Sequence, residues 1–231
     1  MIRRDYILRM LEEFFEMLSR IRALQKGEKW GEASVVAEEE FHRLVGLGAQ
    51  EIARLSETEL LALIIKGEPT LAVRDKTLLV ATLLKESGDI AAGEERPAES
   101  LTYYLKGLHL LLAVLAREEP FECPAFVPRI EGFLAALGDF VLPLSTQAML
   151  MQHFERLGEF AKAEDALFAM LEAEPNNPDL LSFGIGFYQR LKRQTNDALE
   201  QGNLPRAEVE AGLGQLVARQ AAIKKVAPHE V

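Results

Sequence analysis

Apolar residues recur at three- and four-residue spacing along nearly the whole chain, which is the period of an amphipathic helix. Ile7, Met10, Leu11, Phe14, Leu18 and Ile21 form one stripe, widened by Phe15 and Met17, and predict a first helix from about Arg3 to Gln25. Gly27 and Gly31 bracket a break. Ala33 to Leu47 then reads as a second helix with Glu38, Glu39 and Glu40 facing outward. Ser56-Glu57-Thr58-Glu59 has the spacing of a capping box ahead of Leu60 to Ile65, a short helix stopped by Gly67 and Pro69.

A helix from about Leu71 to Ala92 follows, and its partner runs from Pro97 to Arg117, with proline at the first turn where its missing donor costs nothing. Pro120, Pro124 and Pro128 mark one irregular segment before a helix over Ile130 to Val141. Leu144 to Asn177 reads as a helical hairpin turning through Arg156-Leu157-Gly158-Glu159-Phe160-Ala161-Lys162-Ala163 and closing on Glu174-Pro175-Asn176-Asn177. Asn177 is a good cap for a long helix to about Gln201, and Gly202-Asn203-Leu204-Pro205-Arg206-Ala207 repeats the spacing of Gly158 to Ala163 ahead of a last helix from about Pro205 to Lys224. No alternation of period two is long enough to compete. The expectation is an all-α chain of about ten helices with no sheet.

The Leu144 to Asn177 unit resembles a tetratricopeptide repeat. Leu150 and Phe154 stand at first-helix packing positions, Ala163 is the small residue of the helix crossing and Pro175 ends the second helix. Gln147, Met151, Leu167 and Met170 depart from the usual aromatic, glycine, aromatic and alanine. Ser100 to Leu108, with Tyr104 between Ser100 and Gly107, resembles a degenerate second helix of the same unit. The opening Met1-Ile2-Arg3-Arg4-Asp5-Tyr6-Ile7-Leu8-Arg9-Met10 resembles the start of a bacterial family of uncharacterised helical proteins with degenerate repeats. Because one such repeat cannot bury its apolar face alone, the resemblance implies stacked neighbours, a right-handed α-α superhelix or solenoid. The expected organisation is hairpins over 1–117, a proline-containing connection over 118–128, repeats over 129–226 and a frayed tail over 227–231, together one continuous solenoid.

The implied function is recognition without catalysis, on a concave surface of first helices: a protein or peptide partner held at Ser145, Ala148, Gln152 and Glu155, with Phe183, Phe187 and Arg190 beside them. That lining lacks the lysine and asparagine with which tetratricopeptide co-chaperones grip a C-terminal carboxylate, so an acidic chaperone tail is a poor ligand.

Charge narrows the partners. Lys and Arg number 26 against 36 Asp and Glu, a formal charge of −10, which repels phosphate backbones and anionic lipids. The densest basic cluster, Arg3, Arg4 and Arg9, is answered by Glu12, Glu13 and Glu16, and Lys224-Lys225 is only a pair. Neither nucleic acid nor membrane is expected as a partner. The longest apolar run, Leu108 to Ala116, contains His109 and is far short of the roughly 20 residues that cross a bilayer. With no signal-peptide core at the N-terminus and a single cysteine, Cys123, the expected setting is the cytoplasm.

Candidate chemistry is thin along the chain, so no cofactor is expected. Glu39-x-x-His42 has the ligand spacing of a di-iron bundle, but such a site needs a second pair, and His109, His153 and His229 each lack an acid three residues earlier. Cys123 has no activating motif around it, and Gly184-Ile185-Gly186 and Gly212-Leu213-Gly214 lack the ending that grips phosphate. The rival to a binding module is a metal-dependent enzyme built from Glu39, His42 and His109. A third reading is a homodimer through the apolar stripe Ile7 to Ile21.

Overall fold

The structure, a computed structural model, describes residues 2–66, 68, 70–116 and 123–226. The helix stop at Gly67 and Pro69, the segment 117–122 with Pro120, and the tail 227–231 with His229 lie outside the described residues. Among those described there are twelve helices and no strand, in two compact units, Met1–Phe140 and Val141–Val231.

The first unit holds α1 (Ile2–Lys26), α2 (Trp30–Val45), α3 (Ala49–Arg54), α4 (Glu57–Ile65), α5 (Thr70–Gly93), α6 (Pro97–Leu115) and α7 (Ile130–Leu137). The stripe of α1 buries Met10, Phe14, Leu18 and Ile21 against α2 and α5. Glu86 on α5 is buried, and its carboxylate takes Arg22 of α1 at 2.7 Å. α5 and α6 form the central hairpin. They approach closely because Gly88 leaves room for the Tyr104 ring and Gly107 lies over the Ala81 carbonyl, while Gly107 also leaves room for the Phe133 ring. The Gly107 contact puts α7 on α6, so Ile130–Leu137, expected among the C-terminal repeats, belongs to the first unit. α7 stops at Leu137 because Gly138 turns the chain with φ 55°, four residues before the expected end at Val141.

The second unit holds α8 (Leu144–Leu157), α9 (Phe160–Ala173), α10 (Pro178–Leu191), α11 (Asn196–Gln201) and α12 (Arg206–Val226). All four departures from the tetratricopeptide pattern, Gln147, Met151, Leu167 and Met170, are buried. Gln147 stays polar in that setting by donating to the Leu142 carbonyl at 3.0 Å. Gly184 lies against Leu167 and Leu216, and Gly212 against the Tyr188 ring, so these two glycines permit close helix packing, whereas Gly214 has open space around it.

The long helix expected to reach Gln201 is broken after Leu191. Arg206 of α12 donates to the carbonyls of Lys192 at 3.2 Å and Gln194 at 2.6 Å, while Thr195 caps α11 by accepting from Ala198 N at 3.2 Å. A guanidinium from a distant helix thus takes up carbonyls that a continuing helix would have used.

One turn recurs. Glu28, Glu95, Gly158 and Asn203 each have φ between 55° and 76°. Each donates its N–H three residues back, and the next residue donates five residues back: Lys29 to Leu24, Arg96 to Ala91, Glu159 to Phe154 and Leu204 to Leu199. This is the paired bonding of a Schellman C-cap. In three of the turns the following residue has nearly the same conformation, Lys29 at −90°/60°, Arg96 at −108°/68° and Glu159 at −84°/63°. Four residues on stands a small buried residue, Ala33, Ser100 or Ala163. The counterpart of Gly158 is therefore Asn203, one position later than the glycine alignment with Gly202 predicts. Gly202 instead sits under the previous turn, its carbonyl accepting from Ala161 N at 3.0 Å.

Candidate functional site

The surface expected to bind is split by the structure into exposed, paired and buried members. On α8, Ser145 and Gln152 are exposed and Ala148 is half-buried, one face of the helix as their spacing requires. Glu155 and Arg190 are not free for a partner: the guanidinium grips both carboxylate oxygens at 2.7 and 2.8 Å, and that hydrogen bonding raises the Arg190 pKa. Phe183 is half-buried on α10. Phe187 is wholly buried, which removes it from any binding surface. It falls on the core-facing stripe of α10 with Leu181, Gly184, Tyr188 and Leu191. Beside it the Tyr188 hydroxyl donates to Glu164 at 2.5 Å, and burial is the main cause holding the phenol far above its ordinary range.

A second candidate, which holds Glu39 and His42 of the enzymatic rival among its lining, lies within the first unit. It is a groove of about 460 Å³ between α2, the start of α3 and the turn end of the α5–α6 hairpin. One wall is the α2 stripe Ser34, Val35, Glu38, Glu39 and His42, whose three- and four-residue spacing puts all five on one face. The floor is Ser87 and Ile90 of α5, Glu94 and Arg96 stand in the turn between α5 and α6, and the other wall is Glu99 and Tyr103 of α6.

Each polar group there is held differently. Arg96, at the hairpin turn, is clasped by Glu94 on one side and Glu99 on the other. Burial pulls its pKa down, but the hydrogen bond and charge of Glu94 and the charge of Glu99 outweigh it, so the guanidinium stays firmly protonated. Glu38 reaches across to accept from Ala49 N at 2.8 Å, capping α3 from another helix, and lies 3.6 Å from His42 Nε2. Burial pushes the Tyr103 phenol up, with Glu99 adding to it and Arg96 opposing. Glu39 is exposed and makes no ion pair among the described residues. Glu40, expected to face outward with its neighbours, is instead buried and holds Arg43 at 2.5 Å.

The residues of the enzymatic rival are not brought together. Glu39 and His42 line the groove but His109 does not; it sits further along α6, half-buried, its pKa lowered by desolvation with Glu57 opposing and Lys106 adding. No group of three or more His, Cys, Asp or Glu side chains is arranged to hold a metal among the described residues. Cys123 is exposed, and what burial its thiol has raises its pKa, the opposite of an activated nucleophile. No helix among the described residues is long and apolar enough to cross a membrane.

What the groove can do chemically is bind, and its acids make cations the favoured guests. The α5 and α6 walls were missed because Ser87 and Tyr103 sit in stretches that read as apolar packing. The available signal was the polar spacing Ser87, Glu94 and Glu99 facing the acids of α2.

Residues 1–221 match the model of a family of unknown function, DUF6483. No curated protein and no solved structure matches the chain significantly.

Proposed function

Starting from the fact that the chain belongs to the family of unknown function DUF6483, we propose that it is a non-catalytic recognition module, a degenerate tetratricopeptide-like array that binds a protein or peptide partner. The observation that carries this reading is the recurrent turn. Glu28, Glu95 and Gly158 adopt the same left-handed conformation, followed by residues of matching φ and ψ and then by Ala33, Ser100 and Ala163 at buried crossings. Hairpins joined by one turn and crossed at one small residue are the building blocks of helical-repeat scaffolds, whose business is to present side chains along an extended face. The buried Met151, Leu167 and Met170 support it further, since each replaces a pattern residue with one that still fills the core. A reducing cellular compartment fits a chain with one exposed thiol.

Two surfaces are available for the partner: the groove of the first unit, and the exposed α8 face of Ser145 and Gln152 beside the Glu155–Arg190 pair. The test is crosslinked affinity capture of the tagged protein from its native extract, comparing wild type with Glu39→Arg and with Ser145→Arg/Gln152→Arg. A protein retained by wild type and lost by one variant is the expected result. Capture of nothing but further copies of the chain, together with a mass that rises with concentration, would replace this reading with self-association.

A further inference from the structure

Helices α3 and α4 contribute little of their own to the core of the first unit. Between them they bury Ile52, Leu60 and Ile64, whereas α6 buries ten of its nineteen residues. With six and nine residues, neither reaches the length of about 12–15 at which a helix persists alone in water. They depend on what they lie against, α2 and α6 for α3, α5 and α6 for α4.

The groups that fasten this stretch come from other helices. At its start Glu38 of α2 accepts from Ala49 N at 2.8 Å. The carboxylate reaches that N–H because Gly48 has no Cβ, which would collide with it. At its middle Lys106 of α6 donates to the Leu55 carbonyl, and since Leu55 stands between the two helices, this one tether serves both. Lys106 is 5% exposed. An ammonium buried against a neutral carbonyl keeps much of its desolvation cost, which is returned when water reaches it. The first turn of α4 also lies around this lysine. The Ser56 N–H and hydroxyl draw the Glu59 pKa down and the Lys106 charge adds to them, while Glu57 and Lys106 act with opposite sign on His109.

We infer that α3 and α4 form a strap that lifts from α6 as one unit while the α5–α6 hairpin stays folded, and that lifting it uncovers the Lys106 ammonium. The inference goes beyond the recognition reading and does not rest on it. Ala49 and Gln50 line the groove of the first unit, so a lifted strap also opens that end of the groove. A detached strap cannot hold its helical hydrogen bonds, so its amides exchange with solvent when it lifts.

The test is hydrogen exchange of the full chain read by mass spectrometry, paired with acetylation by N-hydroxysuccinimidyl acetate, in which Lys106 is normalised to the exposed Lys192. In wild type the amides of 49–65 should share one protection, about a hundredfold or more below that of α5 and α6. Glu38→Ala removes the acceptor at the start of the strap and should raise both exchange over 49–65 and acetylation of Lys106 about fivefold, the size of a lost helix cap. The amides of α5 and α6 should not respond. Glu12→Ala, which takes an exposed carboxylate from α1, should change neither readout by more than about twofold. Protection of 49–65 as high as that of α6 would overturn the strap as a separate unit, and so would a Glu38→Ala effect spread equally over α5 and α6. Faster exchange of 49–65 with Lys106 acetylation unmoved would overturn the strap as the cover of that amine.

Discussion

Gly107 has no space for a side chain. A Cβ there would stand 2.6 Å from the Phe133 ring and 3.1 Å from the Ala81 carbonyl oxygen, and that oxygen is backbone and cannot swing away. Gly107→Val should therefore destabilise by about 2–3 kcal/mol through overpacking, read as a lower denaturant midpoint at unchanged slope; an unmoved midpoint would mean that α7 does not seat on α6 as described. Glu164 makes a different kind of prediction. Burial, with Glu208 and Asp165 adding, raises its pKa against the opposing hydrogen bond from Tyr188. The folded state then holds this proton more tightly than the unfolded state, so the group's contribution to stability falls as pH rises from its unfolded value through its folded one. Glu164→Gln keeps an acceptor for Tyr188 and should flatten that slope in the range above the ordinary glutamate pKa of about 4.3. A slope identical to wild type would show that the Glu164 carboxyl is not the group responsible.

At the scale of the element, the recurrent turn places a side-chain-bearing residue in left-handed backbone at three of its occurrences, and the strain is largest at the two glutamates because asparagine, at Asn203, tolerates that region. Glu28 at φ 55° and Glu95 at φ 58° are side-chain-bearing residues in left-handed backbone, where Gly158 at φ 76° pays no such cost. Glu28→Gly and Glu95→Gly should each stabilise by about 0.5–1 kcal/mol, the left-handed penalty of about 1–2 kcal/mol less the entropy that glycine adds to the unfolded chain. Gly158→Ala should destabilise by about 1 kcal/mol, and thermal melts of the three variants check the opposite signs together. These turns also mark where sequence reading runs out. Ser56 with Glu59, Asn177 with Pro178, and the α1 stripe were legible because their partners lie within a few residues. The α3 helix was not legible, since it buries one side chain of six, Ile52, and takes its cap from Glu38 eleven residues earlier. Nor was the break after Leu191, set by Arg206, nor the register of the last turn, where asparagine and not the neighbouring glycine takes the left-handed place.

For the molecule as a whole, the same limit governs the candidate sites. The α8 face was readable because one helix carries it, and so was the acidic run of α2. The groove was not, because its floor and far wall come from α5 and α6, and only packing reveals that Ser87 and Tyr103 line one groove with Glu39. Phe187 was assigned to a surface for the converse reason: periodicity gives a stripe but not which neighbour covers it, and Leu181, Tyr188 and Leu191 share its buried face. The division of the chain into two compact units, each with its own buried centre, leads to a prediction about cooperativity. In the second, Ala163 is fully buried at the α8–α9 crossing with Met151, Leu167 and Met170 also sealed from solvent. Ala163→Glu forces an unpaired carboxylate into that centre and should cost several kcal/mol, about the 3–5 of an uncompensated buried charge. Because the first unit is built on Phe14, Phe41, Leu79 and Leu83, residues that the substitution does not touch, limited proteolysis of the variant should degrade Val141–Val231 while a fragment close to Met1–Phe140 survives. Undiminished protease resistance throughout would show that Ala163 is not the tight crossing that its turn assigns to it, and loss of both halves at one protease concentration would show that the two units unfold as one.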